Sequence, residues 1–371
     1  MKTVLITGSN GFIGKNLSAT LELDKDVEII RFDSNDDLAS LDKLVERSDF
    51  IFHLAGINRP KSEAEFDSGN RELTEKILDS INKSKKKIPL LMTSSIQATL
   101  DNPYGKSKKA AEDAIIDWVD ETDSIAYIYR LPNVFGKWSR PNYNSVVATF
   151  CNNIAKGLDI TINDPSTVIT LVYIDDVIAD FISKMKSNVK QNVKNFLSIE
   201  PEFKIDLKSL AKKVYSFKNI KEDLIVPNFE NDFDKFLYAT YTSYLNSDDF
   251  GYGLEMKHDD RGWLAEFIKS QQFGQVFVSR TKPGISRGNH WHHTKIEKFL
   301  VVQGEAEIKL RNYDTEEVIS YNVNDKVLKV VDMPAGYIHS ITNTGKDDLI
   351  TIFWSDEIFN KDKPDTYYLE V

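Results

Sequence analysis

The sequence predicts two domains of different fold class: an α/β domain with a doubly wound parallel sheet, followed by an all-β domain. Over about the first 180 residues, short continuous apolar runs alternate with helix-like stretches. Over about the last 120 residues, strand-like runs are separated by Gly- and Pro-containing turns, and helical periodicity is nearly absent. The first pattern is typical of βαβ units, the second of a barrel or sandwich. We place the domain boundary near residue 245, which gives domains at 1–245 and 246–371.

The predicted elements follow from this patterning. In the first domain the apolar runs predict buried strands at 4–7, 28–32, 50–54, 90–93 and 126–130. Helical periodicity falls at 11–21, 38–45 and 72–81. In the second domain we predict strands at 274–279, 298–302 and 305–310.

Composition excludes several classes of protein. The chain has 41% hydrophobic residues, enough for buried cores, and a net charge of −10, which disfavours binding to nucleic acid or to an anionic membrane surface. No segment approaches the roughly 18 to 20 apolar residues of a membrane span. The single cysteine, Cys151, excludes an intrachain disulfide and suits the cytoplasm.

A glycine-rich segment follows the first strand and opens the first helix. Its glycines at positions 8, 11 and 14 allow a sharp turn and a close approach of the backbone to a pyrophosphate, whose charge the helix N-terminus favours. We therefore predict a dinucleotide site that includes Gly8, Asn10, Gly11, Phe12, Ile13 and Gly14.

A second motif carries acid–base chemistry. Tyr104 and Lys108 are four residues apart and therefore share one helix face. A nearby ammonium is expected to lower the tyrosine pKa from its usual value of about 10. Such a tyrosine exchanges a proton with an oxygen beside a carbon that takes part in hydride transfer.

Together these motifs resemble the extended short-chain dehydrogenase/reductase family of nucleotide-sugar enzymes. The evidence is the GxxGxxG spacing, the segment His53-Leu54-Ala55-Gly56 and the Tyr104/Lys108 pair, over about the first 240 residues. The resemblance implies a Rossmann fold, and it implies that Ser95, or alternatively Ser94, polarises a substrate carbonyl. The hydroxyl residue is followed by Ile96 rather than by an acid, which favours reduction over dehydration.

The same resemblance implies further binding residues. Those near the cofactor are Leu54, Ala55, Gly56 and Asn70, and those near the substrate are Arg59 and Asn133. For cofactor choice, Arg31 at the end of the second strand suits a 2′-phosphate, whereas Asp33 suits a ribose hydroxyl. Arg31 is nearer the expected strand end, so we predict NADPH.

Histidines in the second domain form a possible metal site. His290 and His292 alternate on a strand, Glu297 follows, and His339 comes after a turn. Three imidazoles and a carboxylate suit Zn²⁺, Mn²⁺, Fe²⁺ or Ni²⁺, and we take zinc first. The positions match the two motifs of the cupins, which implies a cupin barrel. Alternation turns His293 outward, and a barrel whose histidines are satisfied without metal is the alternative.

Residues 260–267 resemble the start of the sugar epimerase cupins, where Arg261 is a candidate ligand for a diphosphate. A structural role in a salt bridge suits Arg261 equally well. The catalytic base of those epimerases has no match in this sequence.

The combination of the two domains resembles one family of bifunctional capsular-polysaccharide enzymes that make a UDP-N-acetyl-L-fucosamine precursor. The implied substrate is a UDP-linked 4-keto amino sugar, epimerised at C3 in the cupin and then reduced at C4 with NADPH. Cupins usually pair through strand edges, so we expect a homodimer. The alternatives are a 4-epimerase or dehydratase that retains NAD, with a structural cupin; a non-catalytic nucleotide or sugar sensor; and a cupin dioxygenase with a fused reductase.

Overall fold

The structure is a computed structural model that describes residues 1–60, 62–187, 189–254, 256–259, 262–265, 268, 274–357 and 362–371. Its first elements are β1 (Lys2–Thr7), α1 (Phe12–Leu21), β2 (Val27–Phe32), α2 (Leu41–Glu46), β3 (Phe50–His53), α3 (Ala64–Phe66), α4 (Leu73–Ser84), β4 (Leu90–Ser95), α5 (Pro103–Thr122), β5 (Ala126–Leu131), β6 (Asn133–Phe135), α6 (Val146–Ala155), β7 (Val168–Tyr173) and α7 (Ile174–Ser187). A π-helical segment at Asp67–Glu72 joins α3 to α4.

The remaining elements are mostly strands. They are β8 (Phe203–Asp206), α8 (Leu207–Asp223), α9 (Asp232–Thr242), β9 (Gly251–Gly253), β10 (Met256–Asp259), β11 (Gly262–Ala265), β12 (Gln275–Thr281), β13 (Ser286–Trp291), β14 (Glu297–Gln303), β15 (Glu305–Asn312), β16 (Val318–Asn324), β17 (Lys329–Met333), β18 (Tyr337–Asn343), β19 (Leu349–Ser355) and β20 (Tyr367–Tyr368).

The chain divides into two compact units. One contains Met1–Val134 and Thr170–Lys204, and the other contains Phe135–Ile169 and Ile205–Val371. Helices α6, α8 and α9 therefore fold with the β-rich C-terminal part, although they precede residue 245. The sequence-based boundary near 245 remains a prediction about domain organisation.

The first unit is built on a parallel sheet with the strand order β2-β1-β3-β4-β5. The chain places β2 on one side of β1 and the later strands on the other. Such a reversal opens a crevice at the carboxyl ends of the two strands between which the order changes, here β1 and β3. The predicted doubly wound α/β fold is confirmed, and the glycine segment follows β1 at this crevice.

Helix α5 shows how local sequence positions a functional segment. The side chain of Asn102 accepts a hydrogen bond from the N–H of Gly105 at 2.7 Å, and Pro103 fills the first helical position. Along the helix, Ala111, Ile115 and Trp118 are buried in the hydrophobic core beside the sheet. The cap and this apolar stripe fix both the start and the rotation of α5.

Two five-stranded antiparallel sheets form most of the β-rich part of the second unit, as far as it is described, and β10 and β11 form a separate antiparallel pair. The strand orders of the two five-stranded sheets are β12-β19-β14-β17-β9 and β16-β15-β18-β13-β20. The ring of Phe299 from the first sheet contacts the rings of His339 from the second and Phe353 from its own, so the inner faces pack together. The predicted all-β C-terminal domain is confirmed.

No described helix combines the length and apolar character needed to cross a bilayer.

We predict that Asn102→Ala lowers the free energy of unfolding by about 1 kcal/mol, because it removes the cap of α5. Urea unfolding followed by circular dichroism measures this change. Asn102→Asp keeps an acceptor at the cap and serves as the matched variant. Equal losses in the two variants would contradict a capping role.

Candidate functional site

The turn after β1 requires glycine at two positions. Gly8 has a φ of +68°, and a Cβ there would lie 2.7 Å from the backbone nitrogen of Ala55. A Cβ on Gly14 would lie 2.2 Å from the carbonyl oxygen of Gly8. Gly11 is the N-cap of α1 and has no side chain to cover the first turn. The open helix N-terminus therefore suits a pyrophosphate, as the sequence predicted.

A chain of buried hydrogen bonds fixes the segments around this turn. Burial, and secondarily the charge of Lys108, lowers the pKa of His53 to about 3, so its imidazole is neutral and carries one proton. The Thr74 hydroxyl donates to the carbonyl of Asn70 at 2.6 Å and accepts from Nε2 of His53 at 2.9 Å. Nδ1 of His53 then accepts from the Thr7 hydroxyl at 2.8 Å. The directions follow because the neutral imidazole carries one proton and the Thr74 hydroxyl already donates its own to Asn70.

Asn70 extends this network to the helix with the predicted acid–base pair. Its side chain exchanges two hydrogen bonds with the backbone of Ile57, both at 3.0 Å, and donates to the hydroxyl of Ser107 at 2.9 Å. Ser107 in turn donates to the carbonyl of Tyr104 at 2.8 Å. The sequence identified Asn70 but not Thr7, Thr74 or Ser107, since a lone hydroxyl residue carries no motif.

Ser95, Tyr104 and Lys108 converge at the carboxyl end of β4. Burial raises the pKa of Tyr104, and a hydrogen bond with Ser95 opposes that shift. Lys108 is buried, donates to the carbonyl of Thr93 at 2.9 Å, and has its pKa lowered by burial to about 8. The expected lowering of the Tyr104 pKa by Lys108 is not found in this structure, because burial raises that pKa by more than the hydrogen bond with Ser95 lowers it.

Ser94 has a different partner. Its hydroxyl donates to the fully buried carboxylate of Glu112 at 2.6 Å, and Arg130 pairs with both oxygens of that carboxylate, at 3.0 and 2.7 Å. The geometry therefore places Ser95, rather than Ser94, beside Tyr104. No sequence motif indicated Glu112, which lies on α5 and whose two partners come from β4 and β5.

Two charged residues compete at the edge of the nucleotide site. Arg31 is exposed and forms an ion pair with Glu22. Asp33 accepts a hydrogen bond from the backbone N–H of Asn10, in the glycine turn, at 2.7 Å. The structure thus brings Asp33 to the turn, while Arg31 faces the end of α1.

Two of the predicted substrate residues lie on different segments of the first unit. Arg59 is exposed after β3, and the side-chain amide of Asn133 donates to the carbonyl of Thr170 at 3.2 Å. Arg261 lies outside the described residues. Gly56, predicted near the cofactor, lies so close to the network that a Cβ there would be 2.8 Å from Asn70 Oδ1.

In the second unit, His290, His292, Glu297 and His339 form a compact cluster. One ligand atom from each lies within 4.8 Å of the others. One oxygen of Glu297 is 3.9, 3.5 and 3.3 Å from the Nε2 atoms of His290, His292 and His339. Burial opposes ionisation of Glu297, but its close contacts with the three imidazoles hold its pKa well below the usual range.

The imidazoles are oriented for coordination. Nδ1 of His292 lies 2.6 Å from the carbonyl oxygen of Asp365, and Nδ1 of His339 lies 3.3 Å from that of Tyr337. A carbonyl only accepts, so each Nδ1 carries the proton and each Nε2 presents a lone pair. Both Nε2 atoms are buried without a hydrogen-bond partner of good geometry. Two orphaned nitrogens beside a carboxylate fit a divalent transition metal.

A β-bulge places His290 on the correct face. In the pairing of β13 with β18, Gly288 lies opposite Ser340 and His290 opposite His339, so Asn289 is the extra residue. Gly288 has a φ of +96°, and a Cβ there would lie 2.9 Å from the carbonyl oxygen of His339. Simple strand alternation predicted the shared face of His290 and His292 but not this bulge.

His293 is not part of the cluster. Its ring packs against those of Trp291 and Tyr367, and its Nδ1 lies 3.2 Å from Nζ of Lys137. The side chain is nevertheless buried, because aromatic rings cover the outer face of β13 at this point.

The chain is similar to known proteins along its whole length. A reductase of UDP-2-acetamido-2,6-beta-L-arabino-hexul-4-ose from Pseudomonas aeruginosa is 43% identical over 99% of this chain and 98% of that protein. A crystal structure of the capsular polysaccharide assembling protein CapF from Staphylococcus aureus is 44% identical, covers 100% of both chains and has a TM-score of 0.68.

Other matches cover only one part of the chain each. The spore coat polysaccharide biosynthesis protein SpsL of Bacillus subtilis is 28% identical over 30% of this chain and 80% of its own length. The model of the polysaccharide biosynthesis C-terminal domain matches residues 257–367. The model of the NAD dependent epimerase/dehydratase family matches residues 4–196.

These matches confirm the resemblance to capsular-polysaccharide enzymes that the motifs indicated. The glycine turn and the Ser95, Tyr104 and Lys108 group fall within residues 4–196, the region that the epimerase/dehydratase model covers. The chain belongs to the NAD dependent epimerase/dehydratase family.

Proposed function

We propose that this protein is a bifunctional nucleotide-sugar enzyme. Its β-rich domain epimerises C3 of UDP-2-acetamido-2,6-dideoxy-hexos-4-ulose, and its nucleotide domain reduces C4 to give UDP-2-acetamido-2,6-dideoxy-L-talose. This product is a precursor of UDP-N-acetyl-L-fucosamine for capsular polysaccharide. The observation that carries the reduction is the hydrogen-bonded pair of Ser95 and Tyr104, in a chain that resembles a 4-keto sugar reductase from end to end.

In the reduction, Ser95 and Tyr104 bind the C4 carbonyl oxygen. The raised pKa of Tyr104 keeps its hydroxyl protonated near neutral pH, so the residue acts as the acid that protonates the developing alkoxide. Lys108 holds the tyrosine helix against β4 through its bond to Thr93. Because its pKa is about 8, Lys108 is mostly charged at neutral pH and loses this charge as the pH rises through 8.

The chemistry supplied by bound cofactors is hydride for C4 from NADPH and polarisation of the C4 carbonyl by zinc. The glycine turn, with Leu54, Ala55 and Gly56, holds the dinucleotide. His290, His292, Glu297 and His339 hold the metal, and Mn²⁺, Fe²⁺ or Ni²⁺ fits the same ligands.

In the epimerisation, the C4 ketone makes the proton on C3 acidic. The β-rich domain removes this proton and returns one to the opposite face. His290 is the most exposed of the four clustered side chains, with 23% of its side chain accessible, and therefore marks the side from which the sugar approaches. Reduction at C4 then removes the activating ketone, so it traps the otherwise reversible epimer.

We favour NADPH over NADH because Arg31 would give up only a weak contact on binding the cofactor, whereas Asp33 would give up a hydrogen bond to the glycine turn. The ion pair between Arg31 and Glu22 is exposed, and such pairs stabilise a protein by only about 0 to 1 kcal/mol. Arg31 therefore leaves Glu22 at little cost in free energy and binds a 2′-phosphate instead. Asp33 is already bound to the backbone of Asn10.

We also infer a cytoplasmic homodimer, in keeping with the single buried thiol of Cys151 and with the edge pairing usual in cupins.

We predict that Tyr104→Phe lowers the rate of NADPH oxidation by roughly 100-fold or more, because the proton donor is lost. Exchange of the C3 hydrogen with D₂O continues, since it takes place in the other domain. Absorbance at 340 nm and NMR of the sugar measure the two activities. Tyr215→Phe changes an exposed tyrosine on α8 and should match the wild type. Full NADPH oxidation in Tyr104→Phe would refute the assignment.

We predict that Arg31→Ala raises KM for NADPH about tenfold and leaves KM for NADH unchanged, since only NADPH carries the 2′-phosphate. Arg47→Ala, which breaks a comparable exposed ion pair with Glu28, is the control. If Arg31→Ala changes neither constant and Asp33→Ala raises KM for NADH, the cofactor is NADH.

We predict that the wild-type chain binds one divalent transition metal and that His290→Ala loses both the metal and C3 exchange. Metal analysis by mass spectrometry and NMR in D₂O measure these losses. His293→Ala removes a neighbouring histidine outside the cluster and should retain the metal. Full C3 exchange by a metal-free wild-type protein would remove the metal from the mechanism.

A further inference from the structure

We propose that Asp365 is a positioning residue for the metal site and that it sets the affinity of the site for zinc by fixing His292. This inference rests on the metal site of the proposed function. Asp365 lies in the chain's last ten residues, 73 positions from His292, and no sequence motif connects the two.

The carboxylate of Asp365 binds the turn that follows His292. One of its oxygens accepts the N–H of His293 at 2.9 Å. The other accepts the N–H of Thr294 at 2.9 Å and of Lys295 at 2.7 Å, together with the Thr294 hydroxyl at 3.0 Å. Four hydrogen bonds to three consecutive residues hold the backbone of this turn in one conformation.

The backbone of Asp365 acts on the ligand itself. Its carbonyl oxygen accepts from Nδ1 of His292 at 2.6 Å, which places the proton on Nδ1 and leaves Nε2 free for a metal. Asp365 has a φ of +35°, which is uncommon for an L-residue outside glycine. The hydrogen bonds of its carboxylate hold this conformation, and it brings the carbonyl to the imidazole.

Residues on either side of Asp365 also bind the segment that carries His290 and His292. Strand β20 pairs with His290 and Trp291 of β13, and the ammonium of Lys295 donates to the carbonyl of Pro364 at 3.1 Å. We name residues 364–368 the C-terminal strap. The strap contacts the segment from His290 to Lys295, which carries two of the four candidate ligands.

Substituting Asp365 separates its two contributions. Asparagine keeps one acceptor oxygen but presents an N–H₂ group to backbone N–H groups, so it satisfies part of the turn. Alanine satisfies none of it, and the strap then loses the carboxylate contacts that align its carbonyl with His292. Metal affinity should therefore fall in the order wild type, Asp365→Asn, Asp365→Ala.

The test measures zinc affinity of the full-length protein by competition with a chromophoric chelator. We expect Asp365→Ala to weaken zinc binding by about 10- to 100-fold, the usual effect of losing a residue that orients a ligand, with Asp365→Asn between it and the wild type. The control is Asp325→Ala, which removes a carboxylate that accepts the N–H of Gly304 at 2.9 Å in a turn of the same domain, away from the ligands.

Absorption spectra of the Co²⁺-substituted proteins distinguish positioning from stability. A change in ligand field in Asp365→Ala, with the wild-type spectrum in Asp325→Ala, supports displacement of His292. Wild-type zinc affinity and spectrum in Asp365→Ala, with or without a lower Tm of the metal-free protein, would overturn the positioning role alone. A wild-type protein that binds no zinc would overturn this inference together with the proposed metal site.

Discussion

The β-rich domain depends on a buried carboxylate that several imidazoles face. Glu297 is almost inaccessible to solvent, and an isolated buried charge costs several kcal/mol unless it is paired. Three imidazoles reach it, and burial lowers the pKa of one of them, His339, to about 4, so that imidazole does not readily supply a compensating positive charge. A divalent cation, as proposed above, would satisfy the carboxylate and the imidazole lone pairs together. The bulge at Asn289 and the turn held by Asp365 both serve to maintain this geometry.

In the nucleotide domain, buried polar side chains are stabilised by hydrogen bonds. Lys108 is buried and donates to a backbone carbonyl, and the neutral His53 links two hydroxyls, so both of these buried side chains are hydrogen-bonded. The same burial keeps the proton on Tyr104. A tyrosine that retains its proton is suited to complete a reduction, which agrees with the absence of an acid after Ser95 in the sequence.

The chemistry proposed for the two domains is complementary. A ketone first labilises the neighbouring C–H bond and is then consumed as the hydride acceptor. Epimerisation alone gives a mixture, whereas reduction is directional because it removes the group on which the exchange depends. A fused pair of domains that act on one ketone is therefore chemically coherent.

In both sites, some features could be predicted from the sequence and others could not. The sequence alone predicted the order of the two folds, the glycine turn, the candidate acid–base pair and the four candidate metal ligands. These features depend on local spacing, which strand and helix periodicity translate directly into shared faces. Only the tertiary structure placed Ser95 rather than Ser94 beside Tyr104, turned Arg31 toward Glu22, and brought Asp365 to His292. Those outcomes depend on contacts between residues distant in the chain and on the balance between burial and hydrogen bonding, neither of which local spacing encodes.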